Sequence, residues 1–251
     1  AVTTSPSPNV PSRSSSATTS SKAWSVLIVS TLAFTVCFMV WMMFGVIGIP
    51  LKKQLGLNAT EFGLLTATPV LTGSLIRVPL GIWTDRYGGR IVMTVLMAIT
   101  VPPIFLMSYA TAYWHFLVIG LFVGLAGGSF SVGTPYVARW FPKETKGMAM
   151  GVYGAGNSGS AVNKFVAPAI IAALGWAAVP QVYAAIMALT VVVFWFFSHH
   201  DPKHVVPSDT KLSDQLKLLK DPAVLKYCQY YSIVFGGYVA LALWIEQYYI
   251  G

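Results

Sequence analysis

Residues 23–50 read Ala-Trp-Ser-Val-Leu-Ile-Val-Ser-Thr-Leu-Ala-Phe-Thr-Val-Cys-Phe-Met-Val-Trp-Met-Met-Phe-Gly-Val-Ile-Gly-Ile-Pro, and no charged residue lies between Lys22 and Lys52. A bilayer core demands about 20 apolar residues in helical form, because an unpaired backbone amide or carbonyl is too costly in hydrocarbon. The stretch from Trp24 to Pro50 is therefore read as a membrane-spanning helix. The rest of the chain agrees: 55% of its 251 residues are hydrophobic and 10% charged, against about 25% charged in a soluble domain. A water-facing surface cannot be assembled from that supply.

Working outward, hydropathy predicts seven spans, at about 24–50, 61–84, 91–109, 113–140, 147–174, 176–197 and 224–251. Charged or turn-forming residues separate them. The expected organisation is a disordered cytoplasmic tail over 1–22, a six-helix bundle over 23–198, a cytoplasmic linker over 199–222 with an amphipathic piece at Leu212–Leu219, and a seventh helix over 223–251. The tail is Ser-, Thr- and Pro-rich and lacks the apolar core of a signal peptide. With the first terminus inside, 12 of the 16 Lys and Arg residues fall on the cytoplasmic side, and Lys52 and Lys53 fall outside. Arg77 and Lys164 lie within spans. Opening on Ala1 and stopping at Gly251 within an apolar run suggests a piece of a protein about twice as long. A complete seven-helix receptor is the rival layout.

The formal net charge of +8 is spread between apolar segments, so topology accounts for it and nucleic acid is not an expected partner. Cys37 and Cys228 lack metal-ligand spacing and read as free thiols. His199, His200 and His204 belong to the linker, and His115 to a helix start. With no nucleophile beside a base, no phosphate loop and no paired carboxylates, neither an enzyme nor a cofactor is expected.

Three stretches carry chemistry. Residues 81–90, Gly-Ile-Trp-Thr-Asp-Arg-Tyr-Gly-Gly-Arg, form a tight charged turn in which Asp85, Arg86 and Arg90 can pair with neighbouring helix ends in one state and release in another. With Gly81, Gly88 and Gly89, this resembles the motif between the second and third helices of the major facilitator class. It implies an all-α polytopic transporter whose first six-helix bundle is followed by the start of a second. The fifth span reads Gly-Met-Ala-Met-Gly-Val-Tyr-Gly-Ala-Gly-Asn-Ser-Gly over 147–159. Its glycines suit close helix packing, while Asn157 is an amide that needs partners in hydrocarbon and offers a donor to a small planar anion. Arg77, in Leu-Ile-Arg-Val-Pro, stands eight residues before Asp85, about 12 Å along the helix. At that depth an arginine costs at least about 2.5–3.5 kcal/mol. No acidic residue lies at comparable depth, so its planar fork of donors is a good site for a planar oxyanion; a paired or snorkelling arginine is the competing reading.

The glycine–asparagine stretch, with Ala161 and Phe165–Pro168 after it, Gly127, Gly128, Phe130 and Phe141–Lys143 before it, and Arg77 in its context, resembles the nitrate/nitrite porter family. The resemblance implies that nitrate and nitrite bind at Arg77, with Asn157 orienting them beside the backbone of Gly154 and Gly156. It also implies that Phe38, Phe130, Tyr231 and Phe235 clamp the flat anion. Tyr231 and Phe235 share a face at i, i+4 spacing. Alternating access in a bacterial inner membrane, with the N-terminus cytoplasmic and a monomer at full length, follows from the same likeness. Both proton symport and nitrate/nitrite exchange occur in that family; symport is the expectation. Protons then need a carrier, and Lys164, two turns beyond Asn157, is the candidate. A carrier for another small anion and a non-transporting anion sensor remain as alternatives.

Overall fold

A computed structural model describes residues 20–201 and 220–250, with residues 246–250 as backbone alone. Of the tail expected over 1–22, residues 1–19 lie outside the described residues, as does the amphipathic piece Leu212–Leu219, while Ser21 and Lys22 already belong to the first helix, which Ser20 caps. The described chain is all-α: α1 (Ser21–Leu55), α2 (Ala59–Tyr87), α3 (Gly89–Tyr109), α4 (Tyr113–Ala138), α5 (residues 143–174), α6 (Ala178–Phe197) and α7 (Pro222–Ile250). These match the seven predicted spans within a few residues, apart from longer ends on α1 and α2. Six of them are long and apolar enough to cross a membrane. The other, α5, has the length, but its glycines, Asn157, Asn163 and Lys164 replace the apolar residues that the rest carry. The chain is a multi-pass helical membrane protein.

Local chemistry fixes the element ends. Asn58 and Glu61 form a reciprocal cap at the start of α2, each side-chain oxygen accepting the other's backbone N–H at 2.9 Å, which satisfies two otherwise orphaned donors. Farther along, α2 breaks at Ile76. Pro79 has no N–H for the Leu75 carbonyl and crowds it, so the helix yields one residue before Arg77. Gly88 closes α2 at φ 85°, a conformation that favours glycine.

The bundle is organised around α1. In its most apolar stretch 78% of residues are buried, against 11% in α7. It packs on α4, α5 and α6, while α3 pairs with α6 and α2 with α4. Where α1 turns at Met42, the buried Asn163 donates to the Met42 carbonyl at 3.0 Å and accepts from the Tyr183 hydroxyl at 2.8 Å. That amide ties α1, α5 and α6 together at mid-depth, and it answers the requirement that a buried polar group be paired. By contrast α7 rests chiefly on residues 43–55 of α1, with Leu243 packed over Gly45.

Candidate anion site

Two regions of the bundle concentrate polar chemistry. The first is the end formed by the α2–α3 turn. Here Asp85 pairs with Arg139 from the end of α4, and Arg139 also reaches Asp201, just past α6, at 3.5 Å. The Gly89 N–H donates to Asp201 at 3.1 Å, and Arg139 reaches the Thr84 carbonyl. Arg90 donates to the Trp195 carbonyl at 2.7 Å and lies over its ring. Arg86 lies over the ring of Tyr87. Gly89 is needed for close approach, since a Cβ there would stand 2.3 Å from Tyr136; at Gly81 a Cβ would meet open space. The Asp201 side chain is 1% exposed, and burial raises its carboxyl above the ordinary value against the lowering effects of the Gly89 N–H and of Arg139. Sequence reasoning found Asp85 and missed both its partner Arg139 and the buried Asp201. A basic residue ending α4 beside an acidic turn was the available signal.

The second region lies near mid-depth, between α1, α2 and α7. Trp41, Val70, Ser74, Arg77, Tyr231, Phe235 and neighbouring residues of α7 line a cavity of about 330 Å³. That volume is at the small end of ligand sites. The Arg77 guanidinium sits 5.2 Å from the Phe235 ring and 5.8 Å from the Trp41 ring, and its buried Nε has no hydrogen-bond partner. Among the described residues no carboxylate pairs with it. Ring faces offset only part of the desolvation of a cation, so Arg77 retains donors for an incoming anion. Trp41 holds its place by donating its indole N–H to the Pro69 carbonyl at 2.9 Å.

All four expected aromatics fall on one connected run of rings. Tyr231 stacks on Phe235 at 5.1 Å, Phe235 reaches Phe38 at 6.4 Å, Phe38 meets Phe34 at 5.7 Å, and Phe34 meets Phe130 at 5.5 Å. Only the α7 end of this run borders the cavity. Phe38 is 2% exposed and touches the cavity-lining rings of Trp41 and Phe235, while Phe130 packs against Phe34 and Tyr153. Sequence reading passed over Trp41 and Phe34, although both sit at helical spacing from Phe38.

On α5 the glycines divide into two sets. A Cβ on Gly156 would come within 2.3 Å of Phe34, and one on Gly159 within 2.2 Å of the Thr35 carbonyl, whereas Gly147, Gly151 and Gly154 face open space. The first set lets α1 and α5 touch, and the second leaves a bare helix face. Asn157 lies within the first set, between Gly156 and Gly159, in a short 3-10 turn, Ala155–Ser158. Its amide donates to the Gly154 carbonyl at 2.8 Å, and its Oδ1 is buried without a partner. Lys164 is half-buried two turns farther along α5.

Comparison with known proteins places these features. A family model described as the Major Facilitator Superfamily matches residues 29–251. A probable nitrate/nitrite antiporter, NarK1, of Thermus thermophilus is 42% identical over 237 residues, which is 90% of this chain and 53% of that protein. A nitrite extrusion protein of Bacillus subtilis (strain 168) is 33% identical, covering 88% of this chain and 56% of its own length. A probable nitrate transporter, NarT, of Staphylococcus carnosus is 34% identical, covering 80% and 52%. The chain spans about half the length of these curated relatives. A crystal structure of a bacterial homolog of the human lysosomal transporter Spinster, inward-facing and unoccupied, superposes with a TM-score of 0.66 at 17% identity over 80% of this chain and 50% of that one. That likeness bears on the fold.

Proposed function

We propose, for a chain that belongs to the Major Facilitator Superfamily and to its nitrate/nitrite porter family, that the full-length protein carries nitrate and nitrite across the bacterial inner membrane by alternating access. The observation that carries this reading is Arg77: a guanidinium at mid-depth, lining a mostly apolar cavity, with rings rather than a carboxylate beside it. A trigonal oxyanion matches its planar fork with two parallel hydrogen bonds, and Tyr231 and Phe235 form walls on which a flat ion lies. In this reading Asn157 supplies the orienting donor near Gly154 and Gly156. The Asp85 end faces the cytoplasm, the N-terminus with it, and the Asp85–Arg139–Asp201 cluster latches that end in one access state. The working unit is a monomer.

Isotope-labelled nitrate uptake into vesicles holding the full-length protein tests the reading, with nitrite and small monocarboxylates as competitors. Uptake blocked by nitrite and untouched by monocarboxylates is the expected result. Binding without uptake would make the protein a sensor, and competition by monocarboxylates would make it a carrier of another class.

For energetics the reading is proton symport with Lys164 as the coupling group. That assignment is supported by its place: a half-buried basic side chain two turns beyond Asn157 on α5, about 10 Å along the helix. Nitrate/nitrite exchange is the second reading, favoured by the relative described as an antiporter. Uptake by the parent with and without an imposed pH gradient decides between them, and Lys164→Gln tests the lysine. If accumulation still follows an imposed pH gradient, the lysine is not the coupler; gradient-independent exchange in the variant supports it.

A further inference from the structure

Three residues beyond Phe235, α7 places Tyr238 against the turn that presents Asn157. Its ring lies nearly parallel to Phe38, with centroids 6.4 Å apart. Its hydroxyl meets Ser160 Oγ and stands 3.3 Å from the Asn157 carbonyl oxygen. Ser160 Oγ in turn lies 3.1 Å from that same carbonyl. Two hydroxyls from two helices therefore converge on one backbone oxygen of the 3-10 turn. That turn is the one place where α5 leaves regular helical geometry, and such turns have poorer internal hydrogen bonds than α-helix. External donors accordingly decide its shape.

We infer that Tyr238 is a positioning residue of the anion site: by clamping the Asn157 carbonyl through Ser160, it sets the direction of the Asn157 side chain from across the α5–α7 contact. The inference rests on the reading of Arg77 and Asn157 as an anion site. It adds a link that neither residue supplies alone. Arg77 lies on α2 and Asn157 on α5, while α7 carries both the Phe235 ring beside Arg77 and the hydroxyl that holds the Asn157 turn. The contact exists because the far half of α7 lies against the bundle, where Leu243 covers Gly45. When that half swings away, the Tyr238 hydroxyl leaves the turn, and the two walls of the site are released together. Affinity and access are thereby joined through one side chain.

The test uses the full-length protein with Tyr238→Phe, which keeps the ring on Phe38, with Ser160→Ala, and with both. Equilibrium nitrate binding is measured together with amide hydrogen exchange of residues 155–160. Each single variant is expected to weaken nitrate binding roughly three- to ten-fold, the range for one hydrogen bond, with the unfolding temperature close to that of the parent. The double variant is expected to be no weaker than the singles, because the two hydroxyls act as one unit. Unchanged affinity in Tyr238→Phe, or effects that add, overturns the proposal. Exchange at 155–160 is read without nitrate: faster exchange in Tyr238→Phe supports the clamp, and unchanged exchange overturns it. A parent protein that binds no nitrate while Tyr238→Phe still speeds exchange would overturn the anion reading and leave the clamp standing.

Discussion

Arg139 and Arg77 stand on adjacent helices of one bundle in opposite surroundings. At the Asp85 end, Arg139 has two carboxylates and a backbone carbonyl within reach. Near mid-depth, Arg77 has two aromatic rings and an unpaired Nε. The difference teaches how a chain with only eight acidic residues distributes charge. Among the described residues the carboxylates Glu61, Asp85, Glu144, Asp201 and Asp221 stand at or just beyond helix ends, where Asp85 and Asp201 meet Arg139. The interior cation is left without one, so its donors are open to a ligand. An aspartate beside Arg77 would occupy the same donors and compete with any incoming anion.

Breaking the paired end should produce the largest loss of stability. Arg139→Ala leaves the nearly fully buried Asp201 with the Gly89 N–H and the neighbouring His200 among the described residues, and removing one partner of a buried pair costs about 3 kcal/mol, the low end of the range because Arg139 keeps a quarter of its exposure. Chemical unfolding in detergent measures it. A change under about 0.5 kcal/mol would mean that solvent already screens the cluster. Breaking the unpaired site should act on function instead. Arg77→Lys keeps the charge and loses the bidentate fork, so nitrate uptake is expected to fall by about 100-fold, the scale seen when a positioned donor is removed, with membrane insertion near normal. Wild-type uptake in the lysine variant would remove Arg77 from the site.

The same contrast explains what could be read from the sequence. Seven spans and the place of Arg77 inside the second of them followed from hydropathy and helix rise, because each depends on residues close together in the chain. Asp201, Asn163, Trp41 and Tyr238 did not. Their partners lie 20 to 121 residues away, and nothing in a one-dimensional pattern marks which neighbour a side chain will meet. The α5 glycines fall between these cases. Their clustering was visible, but which of them pack on α1 depends on the rotation of one helix against another.

That rotation can be tested by a matched pair. Gly156→Ala drives a methyl into Phe34, and overpacking of this kind costs about 1–3 kcal/mol. Gly154→Ala adds a methyl to open space and removes a helix-weakening glycine, so it should change stability by less than about 1 kcal/mol, in the stabilising direction. Thermal unfolding of the two variants side by side gives the answer. Equal effects would show that α5 is rotated from the placement described above.

The smallest effect expected is a pH dependence that separates Asp201 from the rest of the paired end. Its carboxyl value is raised in the folded protein, first by burial, so the folded state holds that proton more tightly than the unfolded chain does. Stability from this group is therefore complete below the ordinary value of 3.8 and is lost as pH rises through the raised folded value. The groups facing it act in the opposite sense: the Gly89 N–H, Arg139 and His200 all lower its value. They limit the window without reversing it. Asp201→Asn keeps the shape and removes the titration. Unfolding temperatures of the parent and of Asp201→Asn, compared from pH 7 down to about pH 4, should converge or cross as the parent gains on acidification. Arg139 still has Asp85 in both proteins, so the common part of the pH response cancels in the difference. A difference that stays constant across the range would mean that Asp201 titrates as it does in the unfolded chain, and that burial at this end is offset in full by Arg139 and the Gly89 amide.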